Sequence, residues 1–434
     1  MLSAEHNELL TRVGAGTPMG ALMRRYWIPA LLGWEVAEPD GPPVELRVLG
    51  EDLVAFRQTD GRVGIVAARC PHRGASLFWG RNEACGLRCV YHGWKFDLTG
   101  QCVEMPSEPD ATNFQAKVRT PAYPTYEVGG VVWTYMGPPT RQPAPPLFEW
   151  TQAPESHRGV TKVWQECNWL QALEGGIDTV HTNFLHFGKP APAARMDTGA
   201  VAFGAETVRG RAVNFSKAAL VEVVPTAYGF TYGGIRRLPD AAQFVRGYHW
   251  IMPWTQLRGY SLDVEKPEVD GHMWVPIDDQ NTMVWNFRYT YGTAPLTDDE
   301  RALVGTGNQF GVDIDRETFR ALRHKRNRYL IDRQVQKTQT YTGIVGVNTQ
   351  DRAIQESMGA IADRRTERLG STDRAIISAR QQLLAALTQL EEGADPPGVT
   401  PEYYRLRALE QVVPPEVPWF AAMRTRLFQL EDEI

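Results

Sequence analysis

Five cysteines, at positions 70, 85, 89, 102 and 167, are too few in 434 residues to staple a fold. A disulfide scaffold is therefore excluded, and a cysteine lying near histidines reads as a metal ligand. Basic charge is not in excess either, since 46 Lys+Arg against 51 Asp+Glu leave a net charge of −5. That excludes the broadly positive surface that draws nucleic acid or anionic membranes. Long apolar runs are missing: stretches such as Tyr26 to Val36 are broken by Pro or Gly, short of the ~20 residues a membrane span needs. The opening Met1 to His6 lacks the basic-then-apolar layout of a secretory signal, so the expected location is the cytoplasm. What is present, 43% hydrophobic and 22% charged residues, is an ordinary globular composition long enough for two or three domains.

Residues 1–25 read as a helical lead-in, and from Val44 the pattern turns strand-like. Val44 to Leu49 and Asp52 to Arg57 flank Gly50, Asp60-Gly61 is a hairpin turn signal, and Val63 to Val66, Tyr91 to Phe96 and Gln101 to Val103 continue the strands. A Pro-rich stretch from Gly137 to Pro146 closes this all-β unit and sets domains at 1–145 and 146–434. In the second domain Val163 to His186 reads as largely helical, because Trp169, Leu170, Leu173 and Ile177 recur at helical spacing. Strands follow over 219–235 and 243–292, with turns at Pro239-Asp240, Asp270-Gly271 and Asp278 to Asn281. Helices return from Thr297, notably over Arg316 to Gln336 and Asp373 to Leu390. Strands followed by helices predict an α+β domain, an antiparallel sheet covered by helices.

Cys70-Pro71-His72 and Cys89-Val90-Tyr91-His92 form a Cys-x-His pair and a Cys-x2-His pair separated by sixteen residues. Two thiolates and two imidazoles can hold one tetrahedral zinc, or a [2Fe–2S] cluster in which two histidines replace two cysteines on one iron. The spacing favours the cluster. Each loop offers one sulfur and one nitrogen, so two loops pinching a cluster give one iron both sulfurs and the other both imidazoles, whereas zinc sites more often pair Cys with Cys and His with His. With Arg73-Gly74 and Gly93-Trp94 beside it, the pattern resembles the Rieske motif of the ring-hydroxylating oxygenases. Gly74 and Gly93 would let backbone N–H groups approach the sulfurs. Cys85, Cys102 and Cys167 have no matching partners and read as buried free thiols.

A second constellation, Asp178-x2-His181-x4-His186, begins on the Val163 to His186 segment. On an unbroken helix the two histidines would lie about 140° apart, which would not aim both at one metal. The helix is therefore expected to be distorted or ended between them, helped by Gly175-Gly176 and by Gly188-Lys189-Pro190. Two histidines and a carboxylate make the facial triad of non-haem Fe(II) oxygenases, and Asp178 could itself be that carboxylate. The resemblance implies otherwise: there the Asp is a bridge that accepts a hydrogen bond from a Rieske histidine of the neighbouring subunit, and the third ligand is a distant acid. In this chain the match is Asp351, with Glu356 and Asp363 as alternatives.

The resemblance covers nearly the whole chain. Arg25-Tyr26-Trp27-Ile28-Pro29, Arg69 to Arg73, Tyr91 to Trp94, Gln350-Asp351, Glu356 to Gly359 and Asp363-Arg364 are similar to phthalate and phenoxybenzoate dioxygenases. It implies a Rieske [2Fe–2S] domain and a catalytic domain of helix-grip type. It also implies a [2Fe–2S] cluster on Cys70, His72, Cys89 and His92, and mononuclear Fe(II) on His181, His186 and Asp351. The implied partners are dioxygen, an aromatic acid and an NAD(P)H-dependent reductase carrying FMN and a plant-type [2Fe–2S] centre. The implied assembly is a homotrimer or stacked hexamer, its head-to-tail interface closed by rotation.

Substrate choice is less legible. On the strand around Gln243 to Trp250, alternation puts Arg246 and Tyr248 opposite Val245. If theirs is the inner face, Arg246 is a planar partner for a substrate carboxylate, with Arg209, Arg236 and Arg237 as weaker candidates. Trp250, Trp254 and Phe287 could line an aromatic pocket. The basic run Arg323 to Arg328 and the pair Arg364-Arg365 read as solvated helix faces or a docking surface for an acidic reductase, not as a nucleic-acid site. The leading expectation is cis-dihydroxylation of an aromatic carboxylate. The rivals are a Rieske mono-oxygenase performing O-demethylation or hydroxylation, and an electron-transfer or zinc-binding structural protein.

Overall fold

Short β-branched and aromatic runs, punctuated by turn residues, fold Val13–Pro146 into three small antiparallel sheets. The computed structural model describes residues 2–109, 113–186, 207–260, 266–305, 314–400 and 404–430. In the first sheet Val131–Tyr135 lies between Trp27–Leu32 and Thr125–Val128; in the second, Val44–Val48, Glu51–Arg57, Val63–Ala67 and Ala122–Tyr123 follow in order. The third runs Arg81–Glu83, Gly86–Arg88, Lys95–Phe96, Cys102–Glu104. Its core, with Phe56, Leu87, Trp94 and Phe96, includes Cys70 and Cys89. Tyr91 to Trp94, expected within a strand, is a turn instead. The Cys89 N–H reaches Trp94 O and the Gly93 N–H returns to Cys89 O, so these backbone groups close a loop and do not pair with a strand.

The second unit joins Met1–Arg12 to Leu147–Ile434. Helix Ala4–Thr11 thus groups with it, and the expected boundary at 145 carries no lead-in. The reason is hydrogen bonding: Trp169 Nε1 donates to Leu10 O at 3.1 Å and Asn168 Nδ2 to Thr11 O at 2.9 Å. The unit is an antiparallel sheet in the order Arg158–Gln165, Thr282–Thr290, Glu268–Pro276, Thr255–Gly259, Gln243–Ile251, Gly229–Arg237, Leu220–Thr226. An eighth strand, Leu409–Val413, pairs with Gln243 to Gly247, while Thr255–Gly259 pairs with Tyr248 to Ile251 of the same strand. Helices Trp169–Ile177, Val347–Ser357, Arg374–Glu391 and Trp419–Leu427 accompany the sheet, giving the expected α+β class.

Several expected elements differ. Val163 to Gln165 ends a strand and is not helical. Asp270-Gly271 lies inside strand Glu268–Pro276, where Asp270 faces its cross-strand neighbour Arg258 and the two form an ion pair at 2.8 Å; this contact overrides the turn propensity. Arg316 to Gln336 is mostly irregular, with a short 3-10 segment Lys325–Leu330 and the start of helix Arg333–Thr338. There Asp315 accepts the N–H groups of Glu317 and Thr318, and Asn327 accepts that of His324, so side chains take the donors a helix would use.

Candidate active site

Helix Trp169–Ile177 starts at Asn168, whose Oδ1 accepts the Leu170 N–H at 3.1 Å, and it stops at Asp178. The Asp178 carboxylate accepts the N–H of Val180 at 2.8 Å and of His181 at 3.2 Å. This turn satisfies donors that another helical turn would have used, so the chain leaves the helix before either histidine. The break therefore falls earlier than the expected position between His181 and His186. Gly175 and Gly176 do not cause it; they let the helix approach its neighbours. A Cβ on Gly176 would lie 1.9 Å from Trp274 Cζ2, and one on Gly175 would lie 2.1 Å from Gln355 Nε2. Gly188-Lys189-Pro190, invoked for the same break, lie outside the described residues.

His181 then sits in a short 3-10 turn, and helix Val347–Ser357 brings Asp351 to it. Asp351 Oδ1 is 3.3 Å from Nε2 of His181 and 3.3 Å from Nε2 of His186. One donor atom from each residue falls within 4.8 Å of the others. That Oδ1 is buried without a hydrogen-bond partner, which is costly unless a cation completes the set. The far ring nitrogens are also held: His181 Nδ1 meets Asp178 Oδ2 at 3.1 Å, and His186 Nδ1 meets Gln350 Oε1 at 2.7 Å. The Gln350 amide is fixed because its Nε2 donates to Ile344 O at 2.8 Å. Acceptors on both Nδ1 atoms leave the Nε2 lone pairs for a metal. Burial opposes protonation of His181, but Asp178 and Asp351 outweigh it and lift the imidazole to about 10. Burial of Asp351 acts in the other direction, yet His186 and His181 hold its carboxyl far below the usual range. Negative charge that holds a proton so firmly also holds a divalent cation. Glu356 is turned away, accepting the Glu166 N–H at 3.1 Å and the Tyr329 hydroxyl, and Asp363 pairs with Arg365 at the surface.

In the other unit, two loops of like construction carry the cysteine–histidine pairs. Gly74 (φ 75°) and Gly93 (φ 78°) each donate their N–H to the cysteine carbonyl four residues earlier, at 2.9 Å, in a left-handed conformation that suits glycine. The rings of His72 and His92 are 4.3 Å apart, Cys70 and Cys89 are buried, and His72 Nδ1 is buried without a partner. Burial, reinforced by Cys89, pushes the Cys70 thiol up to about 11, so a thiolate there requires metal charge to balance it. This donor set fits a two-iron cluster with mixed ligands. Cys102 and Cys167 are buried as expected, but Cys85 is exposed.

Arg246 and Tyr248 face the segment that carries the histidines, since Tyr248 Oη meets Thr179 Oγ1 at 2.8 Å. Arg246 is committed there: its Nε donates to Gly259 O at 2.8 Å and lies 3.1 Å from Glu410, which Arg209 also contacts. Arg236 shares the face. It donates to Thr179 O at 2.9 Å, and its buried Nε has no partner. Arg237 is exposed. Trp250 packs on Phe230, whereas Phe287 lies on the opposite face, stacked on Trp150. Arg364, read as solvated, is fully buried and bonds Glu174 at 2.9 Å, beside Arg380. Gln350 and Arg236 are roles sequence reasoning missed or ranked low; the only signal for Gln350 is an amide adjacent to a candidate ligand.

A cluster-type donor set in an all-β unit, and a two-histidine, one-carboxylate set beside an antiparallel sheet, define a Rieske non-haem iron oxygenase. The Rieske [2Fe-2S] domain family matches residues 27–124, and the family described as LigXa C-terminal domain like matches residues 134–431. The chain is 40% identical to the phthalate 4,5-dioxygenase oxygenase subunit of Pseudomonas putida, over 100% of this chain and 97% of that protein. It is 31% identical to the 5,5'-dehydrodivanillate O-demethylase oxygenase subunit of a Sphingobium species, over 92% of this chain and 84% of that protein. In fold it is similar to the crystal structure of dicamba monooxygenase bound to dicamba, with a TM-score of 0.58 at 18% identity, covering 86% of this chain and 99% of that one. The chain belongs to the Rieske non-haem iron aromatic-ring-hydroxylating oxygenases, in the phthalate dioxygenase group. It is an oxidoreductase, the oxygenase component of a Rieske system, and its cofactors are a Rieske [2Fe–2S] cluster and a mononuclear iron. Among the described residues no helix is long and apolar enough to cross a membrane.

Proposed function

We propose that this oxygenase cis-dihydroxylates an aromatic carboxylate of the phthalate or phenoxybenzoate kind. Its electrons come from an NAD(P)H-dependent reductase with FMN and a plant-type [2Fe–2S] centre, and it works as a homotrimer or stacked hexamer. Cys70, Cys89, His72 and His92 hold the cluster, and His181, His186 and Asp351 hold the iron. When bound, the cluster supplies single electrons and the iron supplies the site at which dioxygen is activated.

The protein's part is positioning. The observation that carries the carboxylate reading is the cationic inner face: Arg236, buried with an unpartnered Nε, feels the charge of Arg246 and Arg209, and its Thr179 contact leads directly to the histidine turn. A substrate carboxylate held there accepts the Arg236 Nε–H, with the charge of Arg246, itself paired with Glu410, beside it. Tyr232 and Tyr248, stacked 4.5 Å apart on the same face, give that site aromatic character. The test is one turnover: protein reduced chemically without its reductase, exposed to dioxygen and to phthalates, phenoxybenzoates and methoxybenzoates, with products weighed. A gain of two oxygens and two hydrogens is expected. The relative that is an O-demethylase supports a second reading, for which the result is a gain of one oxygen or loss of a methyl group.

Asp178 is assigned a positioning and bridging role. Its Oδ1 accepts one hydrogen bond, from the Val180 N–H, and the side chain is 21% exposed. An acceptor site therefore remains for a Rieske histidine N–H of a neighbouring copy. Asp178→Asn is expected to retain both metals, lose most turnover and alter the pH dependence of the cluster potential. Loss of iron in that variant would make Asp178 a ligand.

A further inference from the structure

Beside the oxygenase reaction, and independent of the substrate reading above, the structure contains a second charged pocket. It is a shallow, solvent-open depression lined by Arg320, Arg323, Arg326 and Arg352 together with Glu166 and Glu356. Four guanidinium groups face two carboxylates, a formal excess of two positive charges. Only Glu166 is ion-paired; Glu356 is bonded by neutral donors. Glu166 lies 2.7 Å from Arg320 and 3.5 Å from Arg326, and Glu356 takes the Glu166 N–H and the Tyr329 hydroxyl.

Arg352 makes no ion pair, and its burial is offset only in part by the charges of Glu356 and Asp351. It is 4% exposed, its Nε is buried without a partner, and its one hydrogen bond is from Nη2 to Thr349 Oγ1 at 3.3 Å. No carboxylate of the described residues is within ion-pair distance of it. An arginine stays charged when buried, so such a group is costly unless an anion meets it. His324, in the same wall, also has a buried Nδ1 without a partner. Arg320 is held in place by stacking over Trp164, 4.1 Å from the ring centre.

We propose that this pocket binds a doubly charged oxyanion, either hydrogen phosphate or a small dicarboxylate, with Arg352 at its floor and Arg320 and Arg326 at its rim. Two negative charges match the local excess, and planar or tetrahedral oxygens suit the guanidinium forks. Because Arg352 follows Asp351 on helix Val347–Ser357, an occupied pocket also ties down the helix that carries Asp351. A rise in Tm with anion, at constant ionic strength, is therefore expected.

The experiment is calorimetric titration of the metal-loaded protein with sodium phosphate and with succinate, chloride replacing either to hold ionic strength. Saturable binding at one equivalent per chain is expected for at least one of them, and the one that binds names the anion. Arg326→Gln and Arg320→Gln, both at solvent-exposed positions, should each weaken that binding at least tenfold. Arg365→Gln, an exposed arginine outside the pocket, should leave it unchanged. The proposal is overturned if neither anion binds saturably, or if the pocket variants bind as the parent does. It is equally overturned if those variants change the oligomeric mass while free anion fails to bind, since a carboxylate from a neighbouring copy would then be the occupant.

Discussion

Gln350 acts on the metal site without touching a metal. Its amide oxygen accepts the His186 Nδ1–H, and its own N–H is committed to Ile344 O, so the imidazole is fixed in both orientation and tautomer. Gln350→Leu keeps the volume and removes the acceptor. It should lower iron affinity by roughly 10–100-fold, read by competition with a chelator, while Gln350→Glu should restore much of it. The site residues differ in how far the sequence discloses them, for a physical reason. Cys-x-His, Cys-x2-His and Asp-x2-His-x4-His put donors within one or two turns of backbone, so spacing constrains them. Asp351 reaches the histidines from a remote helix and is reached only through the family resemblance. Gln350 stands in a family-like run and Arg236 among the weaker candidates, but neither role is legible, because hydrogen-bonding and burial roles are set by tertiary neighbours.

At the scale of elements, the helix before the histidines is set by caps more than by its apolar stripe. The stripe Trp169, Leu170, Leu173, Ile177 is legible, but the strand that precedes it is set by pairing with Thr282–Thr290, and the turn at Asp178 by a local side-chain bond that apolar periodicity does not register. The stretch of Arg316 to Gln336 looks helical in composition, yet Asp315 and Asn327 divert its backbone donors. Gly176 exposes the packing of this helix to a simple test. Gly176→Ala should destabilise by about 1–3 kcal/mol through overpacking against Trp274, despite the higher helix propensity of alanine. Denaturant unfolding measures the loss, and a shift of the helix would show as reduced iron content.

For the whole molecule, strands followed by helices disclose the α+β class, whereas the grouping of helix Ala4–Thr11 rests on tertiary bonds, from Asn168 and Trp169 to its carbonyls and between Asn7 and both Ala362 and Arg364, and leaves no trace in composition. Stability should also depend on pH through His249, which is fully buried with Nδ1 against the Tyr228 hydroxyl at 2.7 Å. Burial lowers its imidazole from 6.5 to about 4. Between those values the unfolded chain binds more protons, so this contribution is complete above pH 6.5 and is lost as pH falls toward 4. The loss amounts to about 3 kcal/mol. Unfolding free energies at pH 7 and pH 5 should converge in His249→Gln relative to the parent; an unchanged difference would assign the effect elsewhere.

The central strand Gln243–Ile251 is hydrogen-bonded along half its length to the hairpin that follows it and along the other half to Leu409–Val413. During synthesis the first half is available at once, and the second must wait until residue 413 has left the ribosome. Until then Gln243 to Gly247 is an open edge, and Arg246 and Arg209 have not yet met Glu410. An unpaired edge of that kind invites pairing with other chains. The arginines of that face therefore wait for their buried counter-charge, and the strand for its second partner, until nearly all of the chain has been made.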